Sequence, residues 1–137
     1  MVDKDLRTEV YLCGDLNYRI EMSKEEYKKM IYEKKNIEEV MNYKGMLKMD
    51  QLGRQEDLAR SFLKNYIEEK IDFPPTYKMT ADSEVYSRER IPGWTDRIFN
   101  RIGRSKQKSY SCLYFTKGSD HRPVSYTHLT LPTICSV

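Results

Sequence analysis

The order of elements along the chain predicts an α/β (α+β) layered domain, with one strand near the start, a helical stretch and then several strands. The 137 residues are enough for one domain with its own core, and too few for two ordinary ones. Hydrophobic residues make up 39% of the chain, against six Gly and five Pro, which excludes the disordered, collagen-like and low-complexity classes. We therefore expect one folded unit without repeats or linkers.

The first strand is predicted over residues 9–13, because β-branched and aromatic residues run up to Gly14. A loop is predicted to follow over 14–19. Ser23 and Glu26 then form an S-x-x-E capping box, which predicts that a helix begins at this point.

Two further helices are predicted before the chain changes character. Asn36 and Glu39 repeat the capping signal and predict a helix that runs to Leu47. The third helix is predicted over Glu56–Lys70, where apolar residues keep an i, i+4 stripe: Leu58, Phe62, Leu63, Tyr66 and Ile67.

Two prolines in Ile71-Asp-Phe-Pro-Pro end the helical period, because proline removes a backbone donor and fixes φ. Beyond them, strands are predicted over Trp94–Phe99 and Tyr110–Phe115, joined by a basic loop over Asn100–Lys108. Seven basic and two acidic residues lie between positions 88 and 108, so this segment more than accounts for the net charge of +3. The basic excess is local and not a property of the whole chain.

The three cysteines, Cys13, Cys112 and Cys135, are far apart and predict neither a disulfide framework nor a metal knuckle. This usage indicates a reduced, intracellular compartment. No stretch approaches the ~20 apolar residues that cross a bilayer, and the first residues lack the apolar run of a signal peptide. We expect a cytoplasmic protein with no transmembrane segment, able to work at the surface of a membrane.

Two polar clusters are candidates for a functional site. The loop Gly14–Arg19 carries Asp15, Asn17 and Arg19 directly after a strand, where ligands often bind, although such residues are also common turn formers. The second cluster sets His121 between a carboxylate and an arginine. A histidine there can donate to a phosphate oxygen, although an ordinary loop histidine fits the pattern equally well.

The third cluster is cationic and is interleaved with the aromatic residues Tyr77, Tyr86 and Trp94. Several fixed cations suit a polyanion, and arginine is preferred where bidentate contacts form. The pattern fits a phosphoinositide or a nucleic acid, and a solvated surface is the alternative. Its members are Lys78, Arg88, Arg90 and Arg97.

Five segments closely resemble, in order, the motifs of the inositol polyphosphate 5-phosphatase family. They are Gly-Asp-Leu-Asn-Tyr-Arg-Ile (14–20), Asp-Gln-Leu (50–52), Phe-Pro-Pro-Thr-Tyr-Lys (73–78), Arg-Ile-Pro-Gly-Trp-Thr-Asp-Arg-Ile (90–98) and Ser-Asp-His-Arg-Pro-Val (119–124). The resemblance implies the C-terminal half of that family's catalytic domain over residues 1–124, with the endonuclease/exonuclease/phosphatase fold, a four-layered α/β sandwich. It further implies Mg²⁺-dependent removal of the 5-phosphate from phosphoinositides such as phosphatidylinositol 4,5-bisphosphate, or from soluble inositol polyphosphates, and no nucleic acid as partner.

The same resemblance implies roles for the catalytic residues. Asp15 would activate and aim the attacking water, and Asn17 would steady the phosphate and the transition state. His121 would contact the scissile phosphate, and Asp96 would orient His121. Asp120 would lie beside the metal and the phosphate oxygens.

A substrate-binding set is also implied, in which Lys78 and Arg88 are the expected partners of the neighbouring 4-phosphate. Many family members carry Lys where this chain has Arg88, so the positive charge is kept while a planar guanidinium replaces a compact ammonium. The full set is Arg19, Tyr77, Lys78, Arg88 and Arg90.

Both ends of the chain depart from the family pattern. The family's main Mg²⁺ ligand is a glutamate on an N-terminal half that this chain lacks, so we expect the 137 residues alone to be nearly inactive. At the other end, residues 125–137 replace an apolar strand, and Pro132 would be unfavourable in a central strand. These residues are predicted to be a divergent or non-native tail.

Two alternatives remain open from the residues alone. The first is a nuclease on the same scaffold, in which Asp15, Asn17 and His121 act on a phosphodiester and the basic 88–108 segment follows the nucleic-acid backbone. The Phe-Pro-Pro-Thr-Tyr-Lys segment counts against it, because this motif resembles the phosphoinositide branch. The second is a non-catalytic module that binds phosphoinositides and hydrolyses nothing.

Overall fold

The computed structural model describes residues 9–33, 43–54, 62–101 and 105–130. Helices and antiparallel strands both occur in it, and no helix among these residues is long and apolar enough to cross a membrane. The elements are β1 (Tyr11–Asp15), α1 (Lys24–Glu33), α2 (Tyr43–Leu47), α3 (Gln51–Arg54), a 3₁₀ turn (Leu63–Asn65), β2 (Tyr66–Glu68), β3 (Asp96–Arg101), β4 (Ser105–Cys112) and β5 (Val124–Thr130).

Strand β3 is the centre of a three-stranded sheet, with β1 on one side and β2 on the other, both antiparallel to it. The first predicted strand exists but runs through Gly14 to Asp15 instead of ending at residue 13. Gly14 has a φ of +149°, which L side chains rarely adopt, so glycine allows the strand to continue. The added pairing sets Asp15 opposite Asp96.

Phe62 is helical, but beyond it the predicted third helix is wrong where the structure describes it. Residues 63–65 form a 3₁₀ turn, and Tyr66–Glu68 form β2, which pairs with Asn100 and its neighbours on β3. The helical spacing of a few apolar residues favours a helix only weakly. Backbone hydrogen bonds to the edge of β3 opposite β1 stabilise the strand at these positions more strongly. Residues 56–61 of that prediction lie outside the described residues.

The helix starting at Ser23 follows the predicted capping box. The Ser23 backbone N–H donates to Glu26 Oε2 at 2.8 Å, and the Glu26 N–H donates to Ser23 Oγ at 3.1 Å. The hydrogen bonds from Ser23 hold the pKa of Glu26 below its usual range. Of the second predicted helix, residues 43–47 are helical as α2, and residues 36–42 lie outside the described residues.

The predicted basic loop over residues 100–108 is wrong at both ends. Asn100 and Arg101 belong to β3, and β4 already begins at Ser105, while residues 102–104 lie outside the described residues. Strand β4 pairs antiparallel with β5. Residues 125–130 of the predicted tail therefore pair in a ladder that has one register shift, between Gln107 and Ser109, and their assignment as non-native stays a prediction.

A core of aromatic and aliphatic side chains joins the helical part of the chain to the strands. Trp94 is fully buried at its centre, and its indole N–H donates to the Phe73 carbonyl at 3.0 Å. Phe73 meets Tyr110 edge to face, with ring centroids 5.0 Å apart. This packing fixes the chain immediately before Asp96. The buried cluster consists of Ile20, Met46, Ile71, Phe73, Trp94 and Tyr110.

Candidate active site

Three segments that are distant in sequence meet where β1 ends and β3 begins. Asp15 closes β1 and faces Asp96 across the ladder. Tyr77 then pairs with Gly93 on one side and with His121 on the other, which brings the third segment to the same edge. The backbone therefore brings together Asp15, Asp96 and His121.

His121 and Asp96 are in direct contact. The His121 Nδ1 atom lies 3.0 Å from Asp96 Oδ2 and 3.1 Å from Oδ1. Because an ionised carboxylate only accepts hydrogen bonds, Nδ1 carries the proton in this arrangement and Nε2 is left for another partner. The ring is thus held in one tautomer and one orientation.

Two threonines that the motif reading did not single out also bind the Asp96 carboxylate. Thr76 Oγ1 donates to Asp96 Oδ2 at 2.6 Å, and Thr95 Oγ1 donates to the same oxygen at 3.0 Å. Both threonine side chains are fully buried. Two hydroxyl donors on the half-buried Asp96 carboxylate fix its position. In the sequence, these threonines are marked only by their positions, with Thr76 before Tyr77 and Thr95 before Asp96. That signal is too weak to assign a role.

Arg122 holds the loop that carries His121. It is 1% exposed, its backbone N–H donates to the Thr76 carbonyl at 2.8 Å, and its guanidinium donates to the Ser119 carbonyl at 3.3 Å and to the Ser83 carbonyl. A buried arginine that binds backbone carbonyls is a positioning group, and it places the loop against residues 76–83.

On the β1 side, Asn17 has a φ of +60°, the left-handed region that asparagine tolerates better than most residues. Its backbone N–H donates to Asp15 Oδ1 at 2.9 Å, and its side-chain oxygen accepts from Arg19. The Arg19 guanidinium lies 5.0 Å from the centre of the Tyr77 ring, and that ring lies 4.4 Å from the His121 ring. Asp15, Asn17, Arg19, Tyr77 and His121 therefore form one continuous set of contacts.

Among the described residues, one group of His, Cys, Asp and Glu side chains could hold a metal ion, namely Asp15, Asp96 and His121. Their ligand atoms all lie within 4.8 Å of one another. Asp120, the predicted metal residue, is not part of this group and lines a neighbouring cleft. Its predicted metal role stays a prediction.

That cleft is open, has a volume of about 600 Å³ and is lined by Lys78 as well as Asp120. Lys78 Nζ lies 2.7 Å from Glu89 Oε2. The hydrogen bond and charge of Glu89 hold the pKa of Lys78 above its usual value, and Lys78 in turn holds the pKa of Glu89 below its own. The Lys78 ammonium is therefore charged at neutral pH, and a competing anion can replace Glu89 as its partner.

Arg88 and Arg90 line a different groove, between α1 and residues 88–91, with a volume of about 230 Å³. The structure thus divides the predicted substrate set. Arg19 and Tyr77 lie beside His121, Lys78 lies in the Asp120 cleft, and the two arginines lie in the groove against α1.

With this geometry in place, comparison with known proteins identifies the family. Residues 3–127 match Endonuclease/Exonuclease/phosphatase family 2, and the chain belongs to that family. It is 40% identical over 114 residues to the phosphatidylinositol 4,5-bisphosphate 5-phosphatase INP51 of Saccharomyces cerevisiae, which covers 81% of this chain and 11% of the yeast protein. The chain therefore spans about a tenth of the length of this curated relative.

Solved structures agree on the fold. The inositol polyphosphate 5-phosphatase domain of SpSynaptojanin, in complex with inositol (1,4)-bisphosphate and calcium ion, is 32% identical with a TM-score of 0.65. The match covers 88% of this chain and 34% of that one. A Cimex nitrophorin, solved as a ferrous NO complex, is 27% identical with a TM-score of 0.69, over 88% of this chain and 41% of that one.

The resemblance to inositol polyphosphate 5-phosphatases and the predicted α/β fold class are both confirmed. The nitrophorin has a similar TM-score but was solved as a ferrous NO complex, so the shared fold does not by itself identify the chemistry.

Proposed function

We propose that the protein containing this chain is a phosphatase that removes the 5-phosphate from phosphoinositides such as phosphatidylinositol 4,5-bisphosphate, or from soluble inositol polyphosphates. The observation that carries the proposal is the group Asp15, Asp96 and His121, assembled in a chain that is 40% identical to a phosphatidylinositol 4,5-bisphosphate 5-phosphatase. Two carboxylates and an oriented imidazole are suited to hydrolysis of a phosphate monoester.

In the proposed reaction, Asp15 accepts a proton from water as the water oxygen bonds to phosphorus. The bond from phosphorus to the inositol oxygen breaks, and that oxygen takes a proton from solvent water and leaves as the alcohol, while Asp15 returns its proton to solvent. In its doubly protonated form, His121 donates from Nε2 to an oxygen of the scissile phosphate, while its Nδ1–H keeps donating to Asp96 Oδ2 at 3.0 Å. The imidazole can therefore stabilise developing charge without having to reorient.

Asn17 and Arg19 are proposed to bind the phosphate beside Asp15. The Asn17 carbonyl oxygen already accepts from Arg19, so the amide NH₂ is the end of the side chain that can donate to a phosphate oxygen. Arg19 supplies a fixed positive charge, and Tyr77 packs between Arg19 and His121. The three side chains limit where the phosphate can sit.

We propose Mg²⁺ as the metal, held in part by Asp120. Carboxylate oxygens are the donors that Mg²⁺ prefers, and Asp120 offers them. Asp96 suits a metal less well, because its oxygens already accept hydrogen bonds from Thr76, Thr95 and His121. When bound, the ion would neutralise charge on the phosphate oxygens.

Recognition of the neighbouring phosphate is proposed for Lys78, Arg88 and Arg90. Lys78 lines the cleft with Asp120, and a phosphate can replace Glu89 as its partner. The two arginines would reach a substrate phosphate from the adjoining groove, which Glu89 shares with the cleft. We also propose that the protein acts peripherally at a cytoplasmic membrane surface.

Phosphate release from 5-phosphorylated inositol compounds tests this function. The full protein that contains this chain is assayed with Mg²⁺, with phosphatidylinositol 4,5-bisphosphate in vesicles and with inositol 1,4,5-trisphosphate in solution. We expect turnover, and we expect Asp15→Asn and His121→Ala each to reduce kcat by about 100-fold or more, as loss of a general base or oriented donor does. Glu25→Gln, an exposed change on α1, is the matched control for the loss of one carboxylate.

The outcomes separate the alternatives. No phosphate release from any 5-phosphorylated inositol, or unchanged activity of His121→Ala, refutes the phosphatase. Cleavage of plasmid DNA that depends on Asp15 would favour the nuclease, and vesicle binding without any turnover would favour the non-catalytic module. For the 137 residues alone we still expect very slow turnover, and rapid turnover would contradict that expectation.

A further inference from the structure

The groove between α1 and residues 88–91, called here the α1 groove, is the strongest feature that the proposed catalytic roles do not explain. Its volume is about 230 Å³. It is lined by Lys24, Tyr27, Lys28, Arg88, Glu89, Arg90 and Ile91. The helix side of it belongs to none of the motifs that carry the family resemblance.

The helix contributes two cations to one face. Lys24, Tyr27 and Lys28 are spaced i, i+3 and i+4, and residues at that spacing are neighbours on a helix surface. Arg88 and Arg90 supply two more cations from the facing segment. Four positive side chains therefore surround a space of modest size.

Little within the described part of the chain balances these charges. Among the described residues, the side chains of Lys24, Lys28 and Arg88 make no hydrogen bond or ion pair, and the one carboxylate of the groove, Glu89, is 2.7 Å from Lys78. Like charges held close together repel each other, and an anion in the groove would relieve that repulsion. Arginine and lysine together are the usual partners of phosphate groups.

The groove also has an apolar side. Tyr27 and Ile91 are half-buried and line it between the cations. Burial raises the pKa of Tyr27, so its phenol stays neutral and adds no negative charge. A ligand with an anionic headgroup and an adjoining apolar part matches this combination better than a fully polar ion does.

We propose that the α1 side of this groove, through Lys24 and Lys28, binds the phosphate-bearing headgroup of an anionic phospholipid in a bilayer. This lipid is a different molecule from the substrate, whose phosphates are assigned to His121, Arg88 and Arg90. The inference rests on the proposed function only in that both concern phosphate groups at a membrane. A lipid bound here would bring the Asp120 cleft to the membrane surface, because Glu89 lines both the groove and the cleft.

Vesicle binding by the 137-residue chain tests this site without requiring catalysis. Sedimentation is measured with phosphatidylcholine vesicles, with and without phosphatidylserine, for the parent chain and for Lys24→Ala/Lys28→Ala. One basic residue near an anionic surface gives roughly a fivefold gain in binding, so the double variant should bind phosphatidylserine vesicles about 25-fold more weakly. Lys44→Ala/Lys48→Ala removes the same charge from exposed positions outside the groove and should bind nearly as well as the parent chain.

Three results would overturn the proposal. One is equal weakening by both double variants, which would indicate a general charge effect. The second is that inorganic phosphate, inositol 1,4,5-trisphosphate or an oligonucleotide in solution binds in a Lys24- and Lys28-dependent way while phosphatidylserine vesicles do not. The third is that Lys24→Ala/Lys28→Ala lowers hydrolysis of soluble inositol 1,4,5-trisphosphate by the full protein as much as it lowers vesicle binding.

The two proposals fail separately. If the full protein releases no phosphate, the proposed function is refuted, and a specific loss of vesicle binding in Lys24→Ala/Lys28→Ala still supports the groove. If hydrolysis is observed and the vesicle assay shows no difference from the Lys44→Ala/Lys48→Ala control, only the groove is refuted. Circular dichroism melts confirm that each variant is folded.

Discussion

Replacing Arg97 by methionine should destabilise the chain strongly, because Arg97 lies at the centre of a buried ionic network. Its Nε and Nη2 donate to Glu68 at 2.7 and 2.8 Å, and its Nη1 donates to Asp50 Oδ2 at 3.0 Å. The side chains of Arg97 and Asp50 are 4% and 2% exposed, and that of Glu68 is 14% exposed. Burial lowers the pKa of Arg97, but the hydrogen bonds and charges of Glu68 and Asp50 outweigh this effect and hold it above its ordinary value.

The expected loss follows from what the substitution leaves behind. Removing one partner of a buried ion pair costs about 3–5 kcal/mol, since the remaining charge is neither paired nor hydrated. Here two carboxylates lose their partner, but Glu68 keeps some contact with water and a hydrogen bond from Tyr110 at 2.9 Å. We therefore expect Arg97→Met to lower the free energy of unfolding by about 3–4 kcal/mol, which is a large part of the stability of an ordinary domain.

Urea unfolding followed by circular dichroism measures the change, provided that the transition stays two-state. A triple variant, Arg97→Met with Asp50→Asn and Glu68→Gln, is the control. It removes the unpaired charges and should recover at least half of the loss. A decrease below about 1 kcal/mol for Arg97→Met, or no recovery in the triple variant, would refute the argument from buried charge.

Three further predictions concern single side chains. Thr76→Val removes a hydrogen bond of 2.6 Å to the Asp96 carboxylate, and since hydrogen bonds to charged groups contribute about 1.5–3 kcal/mol, kcat of the full protein should fall by about 10- to 100-fold with little change in KM. An equal change in both parameters would contradict a positioning role. Ser23→Ala should cost about 1 kcal/mol in urea unfolding through loss of the helix cap, and an unchanged midpoint would contradict it. Burial raises the pKa of Cys112 to about 11, so at pH 8 only about one thiol in a thousand is ionised, and mass spectrometry should find exposed Cys13 alkylated by iodoacetamide well before Cys112; comparable rates would contradict the burial.

Local signals in the sequence predicted the elements that local interactions stabilise. The capping box at Ser23 needs only residues three apart, and the helix begins where that pair predicts. The strand before Gly14 was also found, but its last residue was not. Asp15 joins β1 because Asp96 pairs with it from across the chain, and no residue near Asp15 indicates that pairing.

Segments 66–68 and 105–108 were predicted wrongly for the same reason. Tyr66–Glu68 forms a strand because it pairs with the edge of β3 opposite β1, and Ser105–Gln107 forms part of a strand because residues 128–130 pair with it. Such pairings depend on residues 20 or more positions away, so short segments with a mixed pattern are the ones that tertiary context redirects.

The sequence by itself determined the family and the types of chemical group available, because each motif is contiguous and its residues need no neighbours to be recognised. Only the tertiary structure decided which groups meet. It brings Thr76 and Thr95 to Asp96, and it separates Lys78 from the arginines of the α1 groove. The physical reason is that contacts between distant segments depend on strand register and loop packing, and a motif does not encode either of these.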